Sequence, residues 1–164
     1  MPSPTEGTVR LTVLDRLIDE NLRSGADAPM RWRESVSSLK ASLLRDMEWL
    51  LNTRQVAEPA PESLVELRRS VYHYGLPDIT SLTGHREEVS QVLLREIEEA
   101  IQLFEPRLTA VRVTPARTGD ETRREIRFTV EGLLRLDPNP ERVVFDTVLD
   151  SSSGKIMVAG TDGA

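Results

Sequence analysis

Hydrophobic positions in this chain change period once, from helical spacing before Pro106 to strand alternation after it. Val36, Leu39, Leu43, Met47, Leu50 and Leu51 recur at steps of three and four, which puts them on one face of a helix. A loop over residues 26–33 precedes it, and Ser35 or Ser37 can cap it. Val89, Leu93, Ile97, Ala100, Ile101 and Phe104 repeat the pattern in a later helix opened by Ser81 or Thr83. Glu87 and Glu88 fall in its first turn, where the helix dipole favours acids. Between the two, residues 57–61 read as a Pro-bearing linker, and Leu64, Leu67 and Val71 as a short helix. Gly75, suited to a left-handed C′ position, and Pro77 end that helix. Before them all, Val13, Leu14, Leu17 and Ile18 alternate with Asp15, Arg16, Asp19 and Glu20. They predict about two turns of amphipathic helix, marginal in isolation.

After Pro106 the period is two. Leu108, Val111 and Val113, with the small Ala110, read as a strand ending at Pro115. Ile126, Phe128 and Val130 alternate with Arg127, Thr129 and Glu131 in a second strand, which Gly132 marks with a bulge or a close approach. Val143, Phe145 and Thr147 alternate with Val144, Asp146 and Val148 in a third. The turn at Asp150-Ser151-Ser152-Ser153-Gly154 leads to a fourth over residues 155–159. Short connections favour an antiparallel meander. The expected fold is α+β, with N-terminal helices packed on one face of a mostly antiparallel four-stranded sheet. Residues 1–34 form an arm with the short amphipathic helix, 35–160 a single domain, and 161–164 a fraying tail.

Composition narrows the function. The chain has 164 residues, 29% charged and 38% hydrophobic, with a formal net charge of −6. That acidic balance argues against general binding to nucleic acid or an anionic membrane, which requires a basic face. With no cysteine, disulfides and thiolate metal sites are excluded. Residues 1–7 lack the basic start and apolar run of a secretory signal, and no apolar stretch approaches the roughly 20 residues that span a bilayer.

Candidate chemistry is sparse. His73 and His85 do not share a zinc-ligand spacing. No Gly-rich phosphate loop or nucleophile elbow occurs, so neither cofactor nor metal is expected. A glycosidase needs two carboxylates about 5–10 Å apart. Glu48 and Glu105 are the best candidates, since each neighbours apolar residues. Trp49 lies off the Leu face and reads as core, because Trp is highly buried on average. Glu105-Pro106-Arg107 sits at the joint between helix and sheet, where proline stops the helix. The charged pair can brace the joint or present a fork to a partner, and the rest of the sequence favours the fork. The Val13, Leu14 and Leu17 helix either packs on its own domain or docks in a partner's groove. The last strand, with Ile156, Met157 and Val158 apolar on both faces, is an edge. It is either covered by a helix or open to strand addition from another chain.

Taken in order, several short motifs are similar to one family. They are Val13-Leu14-Asp15-Arg16-Leu17, residues 46–54, Ser70-Val71 with Tyr74-Gly75-Leu76-Pro77-Asp78, Glu105-Pro106-Arg107-Leu108, and Phe145-Asp146-Thr147 with Ser153-Gly154. From about residue 13 to residue 160 the chain resembles the TssE family of the type VI secretion baseplate. That family lies within the wider phage-baseplate wedge group once labelled lysozyme-like. The resemblance implies a non-enzymatic structural subunit. Its Glu105, Pro106 and Arg107 corner contacts neighbouring wedge subunits (TssF, TssG and TssK-like), and its strand region starts sheath polymerisation by pairing with sheath subunits. It also implies a cytoplasmic protein docked at the inner membrane within a larger assembly, without nucleic acid or membrane insertion. A peptidoglycan-cleaving, lysozyme-like glycosidase is the alternative.

Overall fold

The computed structural model describes residues 13–14, 32–58, 60–61, 63–78, 86–116, 125–137, 139–150 and 152–161. Among the described residues, two long helices precede a four-stranded antiparallel sheet of order β1-β2-β3-β4, an α+β architecture. Helix α1 spans Trp32–Asn52 and α2 spans Arg86–Phe104. The strands are β1 Leu108–Pro115, β2 Glu125–Leu134, β3 Glu141–Asp150 and β4 Ile156–Thr161.

Both long helices follow their apolar spacing. Leu39, Leu43, Met47, Leu50 and Leu51 of α1 are buried, as are Leu93, Ile97, Ala100 and Ile101 of α2. They meet the inner sheet face, where Phe128, Val130, Val143, Phe145, Leu149 and Ile156 form one core with them. Helix α1 lies against β4 and α2 against β1, so the two helices reach both ends of that face. The start of α1 differs from expectation: Trp32 and Arg33 are helical, and Ser35 and Ser37 lie inside the helix. Arg33 and Glu34 are good helix formers, and an interior Ser costs only tenths of a kcal/mol. Ser81 and Thr83, expected to open α2, lie outside the described residues.

The short helix expected over Leu64, Leu67 and Val71 is absent. Two 3₁₀ turns, Val65–Arg69 and Val71–His73, replace it, and neither buries a residue. Ser70 separates them in extended geometry, with its Oγ accepting the Tyr72 N–H. A serine that bonds neighbouring backbone offers the chain an alternative to helix. Val71 is 89% exposed. Trp49, expected in the core, is 52% exposed, with the Arg45 guanidinium 5.3 Å from its ring centroid.

The sheet explains two sequence oddities. Leu108 and Val111 are both buried although they stand three apart. A bulge between Thr109 and Arg112 absorbs the extra residue, with Ala110 at φ 51°. The bulge lies in β1, opposite Gly132, while β2 runs unbroken past that glycine. Thr161, expected to fray, is the last residue of β4 and pairs with Val144.

The β3–β4 turn is organised by Asp150. Its Oδ1 accepts from the Ser152 hydroxyl at 2.6 Å and the Ser152 N–H at 2.8 Å, and its Oδ2 from the Ser153 hydroxyl at 2.9 Å. These bonds favour the carboxylate and hold its pKa low, at about 2. A pKa depressed on folding gives stability that is present above the usual Asp value of about 3.9 and lost as pH falls through the folded value. Asp150→Asn should therefore unfold more easily than wild type at pH 7, and the two urea midpoints should converge as pH falls toward 2. A gap unchanged across that window would mean the carboxylate does not organise the turn.

Candidate functional site

The helix–sheet joint is built around Arg107. The Glu105 N–H still bonds the Ile101 carbonyl, Pro106 then ends α2, and the Leu108 N–H returns to the Glu105 carbonyl. This tight corner turns Glu105 inward, where it is 4% exposed. Arg107 donates through Nε to Glu105 Oε1 at 2.7 Å and through Nη2 to Glu105 Oε2. Its Nη2 also bonds Asp46 Oδ2 at 2.7 Å, and Nη1 bonds Ser42 Oγ at 2.8 Å, both on α1. Asp46 accepts in addition from Arg45. Burial works against the charge on Arg107, but the Glu105 and Asp46 carboxylates outweigh it and raise its pKa. Tyr74 stacks edge-on with Phe104 at 5.3 Å. Burial, followed by the nearby Asp46 and Glu105, pushes its phenol pKa up.

The fork that the sequence pointed outward thus closes on α1. Ser42 and Asp46 of α1 engage the guanidinium, and Pro106 is the exposed member of the corner. The two carboxylates weighed as a catalytic pair are also placed differently. Glu105 gives both oxygens to Arg107, and Glu48 is exposed on α1.

The dense segment at residues 46–54 is a second brace. The Asn52 amide bonds both main-chain groups of Ile156 in β4. Arg54 Nη2 donates to the Gly154 carbonyl at 2.9 Å, across the β3–β4 turn. Arg54 and Leu76 form an isolated parallel bridge, with Leu76 N–H to Thr53 O at 2.9 Å and Gln55 N–H to Leu76 O at 3.0 Å. Gly75 makes that approach possible. It has φ +108°, and a Cβ there would lie 2.4 Å from the Thr53 carbonyl oxygen.

The sheet edges are unlike one another. On β1, α2 takes the outward main chain: the Val113 N–H donates to Glu98 Oε2 at 2.9 Å, and Gln102 Nε2 donates to the Val111 carbonyl at 3.4 Å. The bulge and Pro115 further spoil that edge for pairing. On β4, the Asp150 N–H bonds the Lys155 carbonyl toward β3, whereas Ile156 turns both groups outward to Asn52. Antiparallel ladders alternate in this way, so Met157 faces β3 while Val158 and Gly160 face outward, without a main-chain partner among the described residues. The side chains divide differently from expectation. Ile156 is fully buried and Val158 packs partly against the core, leaving Met157 exposed on the outer face. Strand alternation fixes this, because Ile156 and Val158 pair with the inward-facing Leu149 and Thr147.

The model of the family described as Baseplate wedge protein gp25 matches residues 37–139. The chain belongs to that family. It is therefore a baseplate wedge structural protein whose relatives work by contact with other baseplate components. No curated protein and no solved structure shows a significant match. The wedge-family match takes in nearly all of α1, the Gly75 crossing, α2, the Arg107 corner, β1 and β2, and ends at the turn before β3. Both braces on α1 thus start from within the wedge match, and β4 lies beyond it. Of the N-terminal residues singled out from sequence, Val13 and Leu14 are helical and exposed, and Leu17 lies outside the described residues. Among the described residues, no helix is long and apolar enough to cross a membrane, and no group of three or more His, Cys, Asp or Glu is placed to hold a metal.

Proposed function

We propose that this wedge protein is a TssE-like subunit of a type VI secretion baseplate, non-enzymatic, that starts the contractile sheath by strand pairing on β4. One observation carries the reading: β1 is closed by Glu98 and Gln102, while β4 keeps Val158 and Gly160 outward. An edge with open N–H and C=O groups accepts a strand from another chain, and main-chain bonds supply the affinity. Sheath subunits are the partners at this edge. The remaining wedge subunits (TssF, TssG and TssK-like) contact Pro106 at the corner and the N-terminal segment of Val13, Leu14 and Leu17, of which Val13 and Leu14 are helical and exposed. Glu105 and Arg107 act there by holding the corner's shape. In this reading the protein works in the cytoplasm, docked at the inner membrane through the assembly.

The test is seeding. Purified wedge protein added to sheath subunits below their spontaneous polymerisation threshold should shorten the lag, measured by light scattering. A lag unaffected at stoichiometric wedge protein would refute the role.

A further inference from the structure

Asn52 ends α1 beside β4. Its Nδ2 donates to the Ile156 carbonyl at 2.8 Å and to the Glu48 carbonyl at 2.8 Å, and its Oδ1 accepts the Ile156 N–H at 2.9 Å. A side-chain amide carries the same donor and acceptor as a peptide group. Asn52 therefore does to Ile156 what one residue of a neighbouring strand would do, and the bond to Glu48 fixes the amide to the helix. Arg54 closes the next stretch by taking the Gly154 carbonyl. Among the described residues the edge is sealed at Gly154 and Ile156 and open at Val158 and Gly160.

We propose that Asn52 is a register stop for the incoming strand. The inference rests on the strand-pairing reading of β4 and adds where pairing must end. A docked strand finds its first main-chain partner at Val158 and its next at Gly160. Each residue offers one N–H and one C=O, so the described edge supports up to four main-chain bonds. Sliding toward the turn would require displacing the Asn52 amide. Register matters in a template because a slip from Val158 to Ile156 moves the added strand by two residues and, although its faces are kept, re-pairs every side chain along it. An unstopped edge would allow several pairings, and the error would pass to the next subunit.

Residue-resolved amide exchange on the full chain, alone and with purified sheath subunit, tests this. Free wild type should protect the Ile156 amide and leave the Val158 amide fast. Asn52→Ala should speed exchange at Ile156 by roughly tenfold, the loss of one well-made bond. With sheath subunit, Val158 and Gly160 should slow in both proteins, and Ile156 should slow again only in the variant, as the strand slides into the vacated position. Asn52→Ser, shorter and still polar, serves if the alanine variant does not fold. If Val158 and Gly160 slow while Ile156 in the variant stays fast, the strand ends of its own accord and Asn52 is no stop. If Val158 and Gly160 stay fast in wild type, β4 is not the docking edge, and the register stop falls with it.

Discussion

Arg107→Ala should destabilise the isolated chain by about 3–5 kcal/mol, the usual cost of removing one partner from a buried ion pair. That is a large part of the roughly 5–15 kcal/mol by which a domain of this kind is stable. The reason lies in what remains. Arg107 engages Glu105, Asp46 and Ser42 together, and its side chain is 15% exposed while that of Glu105 is 5% exposed. Without the guanidinium, Glu105 is a buried carboxylate with no counter-charge, and α1 loses its tie to the corner. Replacing both partners, as in Glu105→Gln with Arg107→Met, should recover much of the loss, because two neutral groups leave no orphaned charge. Urea unfolding of the three proteins at neutral pH makes the comparison. A single variant within about 1 kcal/mol of wild type would return Arg107 to the class of surface pairs, free to serve a partner.

This outcome shows how far the sequence reads. The faces of α1 and α2 were legible because apolar spacing is a local property: Leu43, Met47, Leu50 and Leu51 are buried wherever the helix docks. The change of period at Pro106 was legible for the same reason, and with it the antiparallel sheet. Two local readings failed where burial depends on what lies opposite. Trp49 looks like core by type, yet on α1 it is half exposed, with the Arg45 guanidinium over its ring. Leu64, Leu67 and Val71 have helical spacing, but none of them is buried, and Ser70 supplies a competing bond. The direction of the Arg107 fork depends on Ser42 and Asp46, more than sixty residues earlier. Nothing near position 107 carries that information. The edge caps at Glu98, Gln102 and Asn52 were hidden likewise, since a helix residue that bonds a strand looks like any polar surface position until the topology is known.

Topology also decides how proline should act on β4. Val158→Pro should leave the fold intact and reduce sheath seeding at least roughly tenfold, since the missing N–H is one that a docked strand uses. The alternation fixes the parity. Asp150 N–H to Lys155 C=O is an inward bond, Ile156 faces Asn52, Met157 faces β3, and Val158 faces out. Proline also favours extended geometry in the residue before it, which suits Met157 in a strand. Met157→Pro removes a bond to β3 and orphans a Val148 carbonyl, so it should cost about 2–4 kcal/mol. Val158→Ala is the control: it trims a half-buried side chain, keeps the N–H, and should seed nearly as wild type does. Thermal melts separate folding from seeding in all three. Should Val158→Pro fold and still shorten the polymerisation lag, the strand from the sheath must dock elsewhere, and the open edge of β4 would be an edge and nothing more.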